Sequence, residues 1–83
     1  MRILYFAWLR EKAGTGEEAV EPPAGVRTVA DLIEWLKTRS AGHAAALADL
    51  SVVRVAVDQE YVKPDHPIAG AQEVALFPPV TGG

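Results

Sequence analysis

Residues 28–42 read TVADLIEWLKTRSAG, and the helix they encode decides the architecture. Thr28 is a good N-cap with Asp31 three positions on. Val29, Leu32, Ile33 and Leu36 fall at i, i+3, i+4 and i+7, and Lys37 and Arg39 sit in the last turn before Gly42. This spacing predicts one apolar stripe, and such a stripe needs a sheet to lie against.

The strands come from both sides of it. Upstream, Arg2 to Trp8 (RILYFAW) predicts a buried strand with two apolar faces, Ile3, Tyr5, Ala7 and Leu4, Phe6, Trp8. LREKAG predicts a short helical or irregular connection ending at Gly14, with Gly16 as a second breaker. EEAVE (17–21) predicts a short strand closed by Pro22-Pro23. Downstream, HAAALADL (43–50) predicts one or two helical turns, and VVRVAV (52–57) a strand with Val53, Val55 and Val57 inward and Arg54 and Ala56 on a wetter face. Asp58 to Glu60 turn the chain into a short Tyr61-Val62 strand. Lys63 to Pro67 form a proline-bounded loop, and EVALF (73–77) is the last strand.

A helix between an N-terminal hairpin and later strands must cross one face of a mixed sheet. The first and last strands are the most apolar, which places them side by side and parallel at the centre. The fold class expected is α+β, a β-grasp (ubiquitin-like) mixed sheet with one main helix packed across one face. Residues 1–77 are expected to form this domain, and residues 78–83 an extended tail.

With 83 residues the chain supports a single core. No apolar run approaches the roughly 20 residues that span a bilayer, and the opening run meets charges without a small-residue cleavage site, so neither membrane nor secretory leader is expected. The absence of cysteine excludes disulfides and thiolate ligands and fits a cytoplasmic protein. A formal net charge of −3 with interspersed signs argues against nucleic acid and favours a protein partner.

Side chains supply little chemistry. His43, beside an alanine-rich segment, and His66, in a proline turn, have no metal-ligand spacing and no nucleophile to activate, so both read as surface or turn residues and no metal is expected. Gly14-Thr15-Gly16 lacks the third glycine and the strand-to-helix context of a phosphate loop and reads as a turn. Glu17, Glu18 and Glu21 read as charges guarding an edge strand. Trp8 and Trp35 could stack on a ligand, but Trp35 lies beside the helix stripe and reads as core rim.

The C-terminus, ALFPPVTGG (75–83), is different. Pro78 and Pro79 fix φ and hold the chain extended where the strand stops, so Pro78, Pro79, Val80, Thr81, Gly82 and Gly83 would reach about 20 Å. Ordering glycines costs the most entropy, so two at the tip make sense where a narrow channel leaves no room for a Cβ. The pattern reads as a reactive carboxylate on a thin arm. A carboxylate lacks a leaving group and must first be activated, most simply as a mixed anhydride with AMP. An amine would then make the chain a protein modifier, and a sulfur donor would make its terminus a thiocarboxylate.

ILYFAWLRE, TVADLIEWL, VDQEYVKPDHPI and, above all, EVALFPPVTGG resemble the small, sulfur-carrying subunit family of molybdopterin synthase, over nearly the whole chain. The resemblance implies that Gly83 is adenylated by an ATP-dependent, ubiquitin-activating-like enzyme and converted to a thiocarboxylate by a persulfide donor. The tail then enters the large synthase subunit, in a two-plus-two heterotetramer, and passes sulfur to a pyranopterin during molybdenum cofactor biosynthesis. No bound cofactor is implied, since ATP is consumed by the activating enzyme, and the chain alone is non-catalytic. The family's hydrophobic contact surface maps onto Phe6, Tyr61 and Phe77, and Arg10 and Glu11 match as surface charges that could meet the activating enzyme. Two readings stay open beside it. One is a carrier for tRNA thiolation or thiamine synthesis, or a modifier joined to lysines; the other is a non-catalytic ubiquitin-like binding module.

Overall fold

The computed structural model describes residues 1–79. Five strands form one mixed sheet: β1 (Arg2–Tyr5), β2 (Glu17–Ala19), β3 (Arg54–Val57), β4 (Glu60–Val62) and β5 (Glu73–Phe77), in the order β2-β1-β5-β3-β4. β1 runs parallel to β5 with Leu4 opposite Ala75 and Tyr5 opposite Leu76, and the other pairs are antiparallel. The expected parallel pairing of first and last strands is therefore present, with β5 central.

Between β2 and β3 lie α2 (Val29–Lys37), α3 (Ala41–Ala46) and a 3-10 turn (Leu50–Val52); a short α1 (Trp8–Ala13) joins β1 to β2. α2 starts where its sequence predicts. Thr28 Oγ1 accepts from the Asp31 N–H, and Asp31 Oδ2 accepts from the Thr28 and Arg27 N–H groups, which hold its carboxyl below the usual carboxylate range.

Val29, Leu32, Ile33 and Leu36 of α2 are buried in one cluster with Ile3, Tyr5, Val55, Val57, Val74 and Leu76 from the sheet. Each large side chain buried there contributes about 1.5–3 kcal/mol, and truncating fully buried Leu36 to alanine would cost about 2–5 kcal/mol.

Several boundaries differ from the sequence reading: β2 ends at Ala19, and β3 begins only at Arg54 because Val52 belongs to the 3-10 turn. The long helix divides: α2 stops at Lys37, where the Thr38 hydroxyl donates to the Trp35 carbonyl. Ser40 then caps α3 by accepting from the His43 N–H, and Gly42 falls inside α3. The opening strand ends at Tyr5 instead of Trp8. Ala7 adopts φ 54°, ψ −133°, and this turn starts α1 at Trp8, removing Trp8 from the strand face it was assigned. A positive φ in alanine holds strain of about 1–3 kcal/mol, which the surrounding sheet must offset.

Candidate functional site

The sheet face turned away from α2 brings together the three residues assigned to a contact surface. Phe6 follows β1 but stays in the ladder, its N–H donating to the Leu76 carbonyl at 3.1 Å, and β5 carries Phe77 to the same end of the sheet. Tyr61 projects from β4, and its ring lies 5.4 Å from that of Phe77, tilted by 40°. Between them the face is floored by small residues, with Ala75 opposite both Leu4 and Ala56, and Ala56 opposite Tyr61.

Phe6 is 48 % exposed and Tyr61 79 % exposed, while Phe77 is half-buried. Large aromatics left open around a flat apolar floor are what a protein-binding surface requires. Ala56, expected on a wetter face, is buried, because β3 lies inside the sheet with β4 as the edge. Pro78 and Pro79 follow Phe77 directly and are half-buried. The assignments to Val80, Thr81, Gly82 and Gly83 lie outside the described residues.

A second cluster corrects the sequence reading. His43 is buried, not a surface residue. Its Nε2 is 2.7 Å from Glu18 Oε2, its Nδ1 is 2.6 Å from Ser40 Oγ, and its ring meets Tyr5 edge-on at 5.7 Å. Glu18 is no free edge charge either: it accepts the Tyr5 hydroxyl at 2.7 Å and pairs with Arg39 at 3.2 Å. Burial pushes the Glu18 carboxyl up, but hydrogen bonds from His43 and Tyr5, with the nearby Arg39 guanidinium, outweigh it and hold the carboxyl below its ordinary value. Burial, reinforced by Glu18, pushes the Tyr5 phenol far up. Because Ser40 Oγ already accepts the His43 N–H, its proton is free for Nδ1, leaving Nε2–H for Glu18; the cluster is thus satisfied as a structural tie between β1, β2 and α3.

The remaining candidates are dispersed. Glu17 pairs with Arg2, and Glu21 is exposed. His66 is a turn residue whose carbonyl accepts from Val29. Gly14 ends α1 with φ 83°, as its turn reading requires. Trp35 packs on the core rim with the Arg39 guanidinium 5.2 Å above it, and Trp8 carries Lys12 at 5.4 Å, so the two indoles form no joint site. Arg10 and Glu11 are exposed on α1. Among the described residues no group of three or more His, Asp or Glu side chains is placed to hold a metal ion, and no helix is long and apolar enough to cross a membrane.

Comparison with known proteins identifies the family. The model of the ThiS family matches residues 3–83. The molybdopterin synthase sulfur carrier subunit of Escherichia coli is 42% identical over 83 residues, covering 100% of this chain and 99% of that protein. Among solved structures, a putative molybdopterin converting factor, subunit 1, from Pyrococcus furiosus superposes with a TM-score of 0.73 at 36% identity, covering 95% of each chain. SAMP1 from Haloferax volcanii, a small archaeal modifier protein, superposes with a TM-score of 0.72 at 30% identity, covering 100% of this chain and 98% of that one.

Proposed function

Because this chain belongs to the ThiS family, we propose that it is the sulfur-carrier subunit of a molybdopterin synthase, acting through its C-terminal carboxylate. The observation that carries the reading is the end-to-end similarity to the E. coli carrier subunit, which extends through the FPPVTGG approach to the terminus.

The carboxylate of Gly83 attacks ATP in an adenylating enzyme, and pyrophosphate leaves. The terminal sulfur of a persulfide donor then displaces AMP from the acyl adenylate to form an acyl disulfide, and a thiol cleaves that S–S bond, releasing the thiocarboxylate and leaving the donor sulfur in a disulfide with the thiol. The domain's part is mechanical. β5, held on both sides by β1 and β3, presents Pro78-Pro79 as a stiff exit, and the open face around Phe6, Tyr61 and Phe77 docks on the large subunit so that the tail enters its site. Burying an aromatic there contributes about 1.5–3 kcal/mol and helps offset the ordering of the tail. The proton transfers of sulfur delivery fall to the large subunit, which leaves this chain the role of a carrier.

The test is the intact mass of the chain after incubation with the host's adenylating enzyme, Mg-ATP and a sulfur donor, beside a chain lacking Gly83. Exchange of one oxygen for sulfur in the full chain alone is the expected result. An unchanged mass, with the activating enzyme competent on another carrier, overturns the reading.

The likeness to SAMP1 favours a second use of the same activated terminus, transfer to protein lysines. Lysine-linked conjugates in cells expressing the tagged chain, lost on removal of Gly83, would support it.

A further inference from the structure

Beside the aromatic face the sheet edge carries a recess that the terminal chemistry leaves unused. It opens between α2 and strands β3 and β4, holds about 310 Å³, and is walled by Ala30, Ile33, Val62 and Pro64 with Leu50 at its lip. Leu50 is 44 % exposed, a large apolar side chain only partly covered by its own fold. A smaller recess of about 220 Å³ lies on the other side of the edge, lined by Tyr61 and Phe77 among others. Arg54, Val55 and Val62 line both, so the two recesses adjoin at the β3–β4 edge and are treated together as one groove.

Its walls are fixed before anything binds. The Val29 N–H donates to the His66 carbonyl at 3.0 Å and the Ala30 N–H to the Pro64 carbonyl at 2.9 Å, which pins the loop after β4 to the first turn of α2. An occupant therefore bears little of the ordering cost that weakens binding to mobile surfaces.

Among the described residues, the charged side chains lining the groove are Arg54 and Lys63. Both are exposed, and neither belongs to an ion pair among the described residues. Among the described residues the Arg54 guanidinium donates to the Ser51 and Val53 carbonyls, at 3.2 Å each. In a chain of net charge −3, two uncompensated cations over an apolar groove select for an anionic, apolar partner.

We infer that this groove is a second docking site for the protein that takes up the tail. It receives a segment bearing one or two large apolar side chains next to a carboxylate, which meets Arg54 and Lys63. The choice of partner rests on the carrier reading above; the chemistry of the segment rests on the groove. Phe77, from which Pro78 departs, lines the adjoining smaller recess, so a body enclosing the tail lies beside both.

The test follows association of the full chain with the molybdopterin synthase large subunit from the same genome by stopped flow over a range of salt. Variants K63E and R54E are compared with R27E, which makes the same charge change at an exposed cation next to Met1, at the end of the sheet opposite Phe77. K63E and R54E are expected to slow association about tenfold at low salt and to flatten its salt dependence, with R27E within about twofold of the parent and all melting temperatures alike. L50S is expected to raise the dissociation rate about fivefold. Association rates of K63E and R54E equal to the parent's, or an R27E effect as large as theirs, overturn the docking groove and leave the carrier reading standing. A parent chain that fails to associate overturns both. Self-association of the chain that R54E abolishes would assign the groove to a second copy and overturn it as well.

Discussion

Glu18 Oε2 and His43 Nε2 lie 2.7 Å apart across 25 residues of sequence, tying the edge strand β2 to α3. Because the folded carboxyl of Glu18 is held below its ordinary value of 4.5, the stability it contributes is complete above that pH and is lost as the pH falls through the folded value. Thermal melts from pH 7 down to about pH 3 are expected to show a steeper acid loss in the parent than in E18Q. At neutral pH, E18Q is expected to be less stable by about 1–3 kcal/mol, since charge-assisted bonds from His43 and Arg39 become ordinary ones. Parallel pH profiles for the two chains would show that the cluster holds no titrating carboxylate of consequence.

Gly42 permits the contact between α1 and α3. A Cβ built there meets the Lys12 carbonyl oxygen at a separation no real side chain tolerates, and the obstacle is backbone. G42A is therefore expected to lower stability by about 1–3 kcal/mol even though alanine is the better helix former. Urea midpoints test this; a midpoint at or above the parent's would mean that the two helices separate without loss.

How legible this protein is depends on the range of the contacts. The strands, the capped start of α2 and the parallel pairing of β1 with β5 follow from periodicity and strand composition, which are local or averaged signals. Phe6 and Phe77 reach the same outer face by simple alternation. His43 and Glu18 escape because neither carries a local signal. A histidine among alanines and a glutamate on an edge strand acquire meaning only when folding brings Tyr5, Arg39 and Ser40 to them. Trp8 is misplaced for a related reason: the positive φ of Ala7 ends the strand within a run of strand-forming side chains, and alanine gives no warning of it. One signal was available for α3, since Ser40 three residues before His43 is a capping pattern.

The turn between β3 and β4 places Asp58 at φ 47° and Gln59 at φ 72°, so two side-chain-bearing residues occupy the left-handed region. Q59G is expected to raise stability by about 0.5–1 kcal/mol by removing that strain. D58G is expected to lower it, because Asp58 Oδ1 accepts from the Gln72 and Glu73 N–H groups at 3.0 Å each and so anchors the approach to β5. Opposite signs for two neighbouring glycine substitutions, read from thermal melts, would separate strain from hydrogen bonding; equal signs would refute the assignment.

Tyr61 separates binding from folding more cleanly than its neighbours do. At 79 % exposure its one ring contact among the described residues is with Phe77, so Y61A is expected to change stability by no more than about 0.5 kcal/mol. Phe77 is half-buried and sits on the central strand, so F77A is expected to lose stability as well as affinity. If the aromatic face docks on the large subunit, Y61A weakens that complex by about 10- to 100-fold while its melting temperature stays at the parent's. Titration calorimetry of both variants against the large subunit, with melts in parallel, provides the comparison. Parent-like affinity in Y61A would move the interface off this face and leave the tail to hold the complex alone.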